Sequence, residues 1–183
     1  MRVLVACEFS GIVRDAFAAT GHEAWSCDLL PSESPGRHLR VDVRGVLSAG
    51  WNLMIAFPPC TYLAVSGARW FAGRRKEQEA AIQFVRLLLD APIEKIALEN
   101  PVGVLSTRIR KPDQIIQPWQ FGVGETKATC LWLQGLPLLR PTELSDGRIG
   151  RVHREPPGPD RWKNRSRTLR PIAAAMAEQW GRL

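Results

Sequence analysis

Residues 51–62 read WNLMIAFPPCTY, an apolar run that ends in two prolines and a thiol, Cys60. Neither Pro58 nor Pro59 can donate to a strand ladder, and each restricts the residue before it, so the chain leaves the sheet in a stiff turn. The thiol is thereby presented just beyond a strand's carboxyl end, where open α/β sheets bind their ligands. A thiolate held there is a nucleophile. A second strand pattern, 95–98, ends in Glu99-Asn100-Pro101. A carboxyl group brought to the same rim as a thiol can give or share a proton, and an amide can fix a turn or accept from a ligand. Asp28 and Asp42 end two further short strand patterns. Both are acceptors suited to ligand hydroxyl and amine donors, and capping of a turn is the other use of such residues.

The elements that position these groups follow from the spacing of apolar residues. Residues 2–7, 23–27, 38–41, 51–57, 95–98 and 129–133 read as strands, several of them continuously apolar as in parallel strands covered on both faces. Residues 12–20 form an amphipathic pattern with Val13, Ala16 and Phe17 on one side, and Gly21 just past its end. The turn Phe9-Ser10-Gly11 leads into this helix, whose first N–H groups are expected to be free for polar ligand groups. Neither GxGxxG nor GxxxxGK[ST] occurs there, which excludes the usual dinucleotide and triphosphate cradles. Residues 74–90 place Ala81, Phe84, Val85, Leu88 and Leu89 on one helical face, and Pro171 opens a last helix, 171–181, with Ile172, Met176 and Trp180 buried. Residues 112–124 read as a loop or short helix. The expectation is one α/β domain over residues 1–183, a mostly parallel sheet with helices on both faces.

The net charge of +7 is concentrated: residues 148–170 hold eight arginines and lysines against Glu155 and Asp160, a local balance of +6 with Trp162 among them. A basic stretch with an aromatic ring suits a phosphate backbone; a solvated basic loop is its plainer reading. The wider segment 145–170 is polar and contains Pro156-Pro157-Gly158-Pro159, and is expected to be a mobile surface piece that orders on binding. The four cysteines, at 7, 27, 60 and 130, are too far apart for a metal knuckle and no metal is expected; reduced thiols in a cytoplasm are. The zinc deaminase signature is absent because no second cysteine follows Cys60 at the required spacing. No apolar run is long enough for a membrane span.

The order of these motifs resembles the DNA cytosine-5 methyltransferase family, most closely its short stand-alone members from phages and prophages. Phe9-Ser10-Gly11 is similar to the family's first motif, Phe57-Pro58-Pro59-Cys60 to its nucleophile motif, and Glu99-Asn100-Pro101 to its Glu-Asn-Val. The resemblance covers about residues 2–133. It implies a Rossmann-like class I S-adenosylmethionine-dependent fold, with Phe9, Ser10, Gly11, Asp28, Leu29, Asp42, Val43 and Pro58 holding the cofactor. Catalysis would fall to Cys60, Glu99 and Asn100, and contact with DNA to Pro59, Thr61, Arg161, Lys163, Arg165 and Arg167. The chemistry is consistent with the residue types: carbon 5 of cytosine becomes nucleophilic once a thiolate has added to carbon 6, and an acid near the ring nitrogen offsets the charge that builds up. A motif for exocyclic amines would instead place a polar residue at Phe57 and an aromatic one at Cys60.

Departures from the family are informative. Its arginine pair is missing, and Lys127 in Gly122-Val123-Gly124-Glu125-Thr126-Lys127 is the nearest cation. Fewer than 40 residues separate Leu133 from Pro171, so target reading is left to the basic segment, to the loop after Cys60, or to a recognition partner or second copy. The same chemistry on RNA, on a free pyrimidine nucleotide or with a modified donor is an alternative, as is a non-catalytic nucleic-acid-binding scaffold. The resemblance implies a cytoplasmic location, in a bacterial host or encoded by its phage.

Overall fold

Residues 3–6 and Leu53–Ala56 are wholly buried, and their alternation sorts them onto two cores. Val3, Val5, Leu53 and Ile55 face one way with Phe17, Met176 and Trp180; Leu4, Ala6, Met54 and Ala56 face the other with Ile82, Val85 and Leu88. A strand pair covered on both sides in this way has to be central, which is why its sequence is apolar without a break.

The computed structural model describes residues 1–183, except for the side chains of Val152 and His153. In chain order it contains β1 (Arg2–Ala6), α1 (Ile12–Ala19), β2 (Glu23–Cys27), β3 (His38–Leu39), β4 (Leu53–Ala56), α2 (Arg75–Leu89) and β5 (Lys95–Pro101). These are followed by α3 (Leu105–Arg108), β6 (Gln114–Ile116), β7 (Thr129–Gln134), α4 (Arg151–Arg154), α5 (Arg161–Ser166) and α6 (Arg170–Trp180). The seven strands form one sheet in the order β3-β2-β1-β4-β5-β7-β6. Strands β1 to β5 are mutually parallel, and β7 runs against both β5 and β6. Helices α1 and α6 cover one face, α2 the other. The strand order reverses between β1 and β4, so their carboxyl ends open the crevice in which α/β sheets hold ligands.

Four sequence expectations are corrected. β5 does not stop at Leu98: pairing with β7, in which Glu99 faces Leu131 and Asn100 faces Cys130, carries the strand to Pro101. The Glu-Asn-Pro motif is therefore held by a ladder and not by a free strand end. Residues 114–116, expected in a loop or short helix, are the edge strand β6, recruited by β7 and invisible in a three-residue polar-apolar string. On α2 the buried stripe is Gln78, Ile82, Val85 and Leu88, with Ala81, Phe84 and Leu89 only partly covered. The basic segment 145–170 is not irregular throughout, because it contains α4 and α5.

Arg14 is the least expected member of the core. It is 1% exposed, although it sits on a short surface helix beside the expected face. Its guanidinium donates to Ser26 Oγ (3.1 Å), Ser32 Oγ (3.0 Å), Ser34 Oγ (2.6 Å) and the Pro35 carbonyl (3.0 Å), and pairs with Asp15 (2.7 Å). One buried cation thus ties α1, β2 and the polar loop after Asp28 together.

Candidate active site at the carboxyl ends of β1, β4 and β5

Gly11 turns the chain from β1 into α1 with φ +76°, and a Cβ there would stand 2.3 Å from Ser34 Oγ and 2.5 Å from an Arg14 nitrogen. Only glycine suits such a conformation in so little space. The first amides of α1 are not free, contrary to the sequence expectation. Glu8 is buried under the turn, accepting from Val13 N (2.7 Å), Arg14 N (3.2 Å) and Ser10 Oγ (3.1 Å), while Ser10 Oγ accepts from Ile12 N (3.3 Å). Glu8 and Ser10 satisfy the helix donors that a ligand would otherwise use. Burial pushes the Glu8 carboxyl above its ordinary value, and these amide and hydroxyl bonds, with Arg14, oppose that.

The second wall comes from the double-proline turn. The Pro58 carbonyl accepts from Asn100 Nδ2 at 2.9 Å, which joins the two strand-end motifs. The Cys60 carbonyl accepts from the amides of Leu63 and Ala64, both at 3.0 Å, so Cys60 sits at the start of a tight turn, an exposed residue on the rim of the site. Asn100 Oδ1 is buried and has no partner among the described residues, an acceptor left open beside the cavity.

Cys60, Glu99, Asn100 and Lys127 line one cavity of about 120 Å³, together with Phe9, Ser10, Pro58, Pro59, Arg165 and Arg167. A neighbouring hollow of about 420 Å³ shares Lys127, Arg165, Arg167 and Thr168 with it. Together they reach the roughly 300–1,000 Å³ of small-molecule sites. Thr61, Arg161 and Lys163 are not on the cavity wall. Arg161 donates to the Glu155 carbonyl (2.8 Å) and Lys163 stands 3.6 Å from Asp160. Asp28 and Asp42 do not line this cavity; they stand near Cys7, which does, and both raise its pKa. Asp28 Oδ1 accepts from Leu30 N (2.9 Å). Asp42 caps a helical turn and takes a fork of bonds from Arg44, which holds it at about 2. Leu29 beside Asp28 is 68% exposed, whereas Val43 is buried in the core.

The electrostatics couple sulfur and carboxyl. Desolvation by the protein packed around it raises the Cys60 thiol although the residue as a whole is exposed, Glu99 raises it further, and Lys127 and Arg165 work against them. Burial likewise raises Glu99, opposed by Lys127. A raised folded-state value means that ionising Glu99 weakens the fold: the protonated form's advantage is complete below the unfolded value of about 4.3 and is lost as pH climbs through the folded one. Glu99→Gln is therefore expected to raise the melting temperature at neutral pH, and to lose that gain below about pH 4. Each tenfold weakening of the acid corresponds to about 1.4 kcal/mol, or about 3–6 °C for a chain of this size. Thermal scans of both proteins across pH test this.

Sequence reasoning missed how the basic segment closes the site. Trp162 in α5 packs on Phe9 with ring centres 5.7 Å apart, and Arg167 forks onto Glu33 at 2.7 and 2.8 Å. Lys127 Nζ donates to the Arg165 carbonyl (3.0 Å), and Arg165 Nε is buried without a partner among the described residues. The isolated glutamate in 31–36 and the tryptophan in a basic run carried no spacing signal that would have paired them.

Sheet order, the single reversed strand and the crevice at the β1/β4 switch define a Rossmann-like class I methyltransferase fold. Among solved structures the chain is similar to a protein described as a DNA modification methyltransferase encoded within a prophage (E. coli), with a TM-score of 0.51 and 13% identity over 79% of this chain and 52% of that one. It is also similar to a triple mutant of Spodoptera frugiperda DNMT2, with a TM-score of 0.48 and 15% identity over 81% of this chain and 54% of that one. The chain thus spans about half the length of the structures it matches. No family model and no curated protein matches the sequence.

Proposed function

We propose that the protein is an S-adenosylmethionine-dependent DNA methyltransferase that modifies carbon 5 of cytosine through a transient Cys60 adduct. The observation that carries this reading is the meeting of Cys60, Glu99 and Lys127 on one cavity at the carboxyl rim of β4 and β5. The residues present fit the cofactor. Asp28 keeps an oxygen free for a hydroxyl, exposed Leu29 offers an apolar cover, and the cavity that holds Cys60 is also lined by Cys7 and Phe9 at the end of β1. S-adenosylmethionine, when bound, supplies the sulfonium methyl group.

The chain's own residues do the rest. The cytosine is unstacked so that its ring enters the cavity. The Cys60 thiolate forms a bond to carbon 6 and the ring's electron pair moves toward carbon 5, while Glu99 delivers its proton to the ring nitrogen as that charge develops. Asn100 holds the Pro58 carbonyl and hence the sulfur's approach, and its open Oδ1 can accept from the ring's exocyclic amine. Once the methyl group is on carbon 5, the proton there leaves to water, the carbon–sulfur bond breaks, Cys60 departs as thiolate and the ring nitrogen returns its proton to Glu99.

Active enzyme needs one proton shared between Glu99 and Cys60, with the carboxyl protonated and the sulfur ionised. The expected profile of kcat/KM against pH is a bell whose limbs belong to the pair. Lys127 lowers both groups, so Lys127→Gln is expected to move both limbs to higher pH and to reduce the rate at neutrality. A steady-state pH series of both proteins checks the direction. The reading itself is tested by incubating the protein with DNA and S-adenosylmethionine and analysing the nucleosides by mass spectrometry: 5-methylcytosine supports it, and N4-methylcytosine, N6-methyladenine or no product in DNA overturns it.

A further inference from the structure

A hollow of about 480 Å³ opens immediately after the nucleophile and takes no part in the chemistry above. It starts at Thr61 and Tyr62, and its far side is Arg69, Trp70, Phe71 and Arg74. None of the residues Val65–Gly73 is buried, and Trp70 is 64% exposed, so this wall does not belong to either core. The Arg69 guanidinium carbon lies 5.0 Å from the centre of a Trp70 ring. Arg74, Arg75 and Lys76 follow, all exposed, before the first acid at Glu77. An aromatic face set among cations is the combination that holds nucleic-acid strands, the ring stacking on a base and the cations meeting phosphates. An apolar peptide would have to desolvate the same cations without neutralising them.

The ends of this loop are fixed, which keeps the hollow in register with the site. Leu63 is fully buried, Val65 N donates to the Val102 carbonyl and Val104 N to the Leu63 carbonyl, both at 2.9 Å. Gly103 lies so close that a Cβ there would stand 1.9 Å from the Leu63 oxygen. Gln78 Nε2 donates to the Tyr62 carbonyl at 2.9 Å. The hollow is thus tied to α2 on one side and, on the other, to the segment directly after Glu99 and Asn100.

We propose that Trp70, with Arg69 on its ring, is a stacking platform for an unstacked nucleobase next to the target base on the same strand. This deepens the proposed function and rests on it for the choice of a polymeric acceptor. Fluorescence anisotropy with labelled single-stranded DNA, and with the duplex of the same sequence, tests it on the full chain. Trp70→Ala is expected to weaken single-strand binding by about tenfold or more, and Trp70→Phe to recover most of it. The slope of log affinity against log salt should stay as in the wild type, because no phosphate contact is lost. Trp70 dependence seen only on duplex supports the platform with a base displaced from a helix. Unchanged affinity of Trp70→Ala for both DNAs overturns the platform and leaves the Cys60 chemistry standing. Trp70-dependent binding by a protein that yields no 5-methylcytosine overturns the chemistry and leaves the platform. A wild-type protein with no affinity for either DNA overturns the platform too.

Discussion

Cys60→Ala is expected to abolish methyl transfer, by about 10⁴-fold or more, the scale on which removal of a covalent nucleophile acts. The reason lies in the ring's electronics, since without carbon–sulfur bond formation carbon 5 carries too little electron density to attack a sulfonium methyl group. No neighbouring group can substitute. Cys7 is held in a left-handed turn with its thiol pushed far up by burial and by Asp28 and Asp42, and Cys130 is buried in β7. Because Cys60 is exposed, the variant should melt within a few degrees of the wild type, so a loss of activity reads on chemistry and not on folding. Labelled methyl transfer together with a thermal scan of the same preparation checks both halves of the expectation.

Arg14→Ala should have the largest effect on stability. The substitution removes a fully buried guanidinium and leaves Ser26, Ser32, Ser34 and the Pro35 carbonyl facing a void, with Asp15 left without its cation. Removing one member of such a buried network costs about 3–5 kcal/mol. For a chain of this size that corresponds to roughly 6–20 °C in melting temperature. The effect should reach the site as well, because the loop that Arg14 holds carries Glu33, the partner of Arg167 on the cavity wall. Arg14→Met, which restores bulk without donors, is expected to recover only part of the loss. Melting curves of the three proteins measure the division between packing and hydrogen bonding.

What the sequence disclosed and what it hid follow from how far apart in the chain the determinants lie. Residues 3–6 and Leu53–Ala56 announced central strands because burial on both faces leaves no room for polar residues. The turns at Gly11 and Pro58-Pro59 were legible because backbone conformation there is set by one or two residues. β6 and the extension of β5 to Pro101 were not, since both owe their existence to β7, which reaches them from more than ten residues away. The same applies to chemistry. That Cys60 and Glu99 share one rim is legible from residue type after two strand patterns, but the part played by Glu8 in closing the α1 amides depends on where its side chain turns after β1. Arg14 reads as an ordinary surface cation, and only the approach of 32–36 to α1 makes it a core residue. The basic excess in 148–170 was visible as charge, whereas its division into Arg165 and Arg167 on the cavity and Arg161 and Lys163 away from it is set by α5 packing Trp162 onto Phe9.

The most direct measurement of the central claim is a covalent trap. Fluorine in place of hydrogen on carbon 5 of cytosine cannot leave as a proton, so an enzyme that attacks carbon 6 through sulfur stops at the methylated adduct. Intact-mass spectrometry after denaturation, on protein incubated with 5-fluorocytosine DNA and S-adenosylmethionine, should show one species at the summed mass of protein, oligonucleotide and methyl group, and peptide mapping should place the bond at Cys60. A protein that methylates ordinary DNA yet forms no such species, or whose Cys60→Ala variant still forms it, contradicts the account.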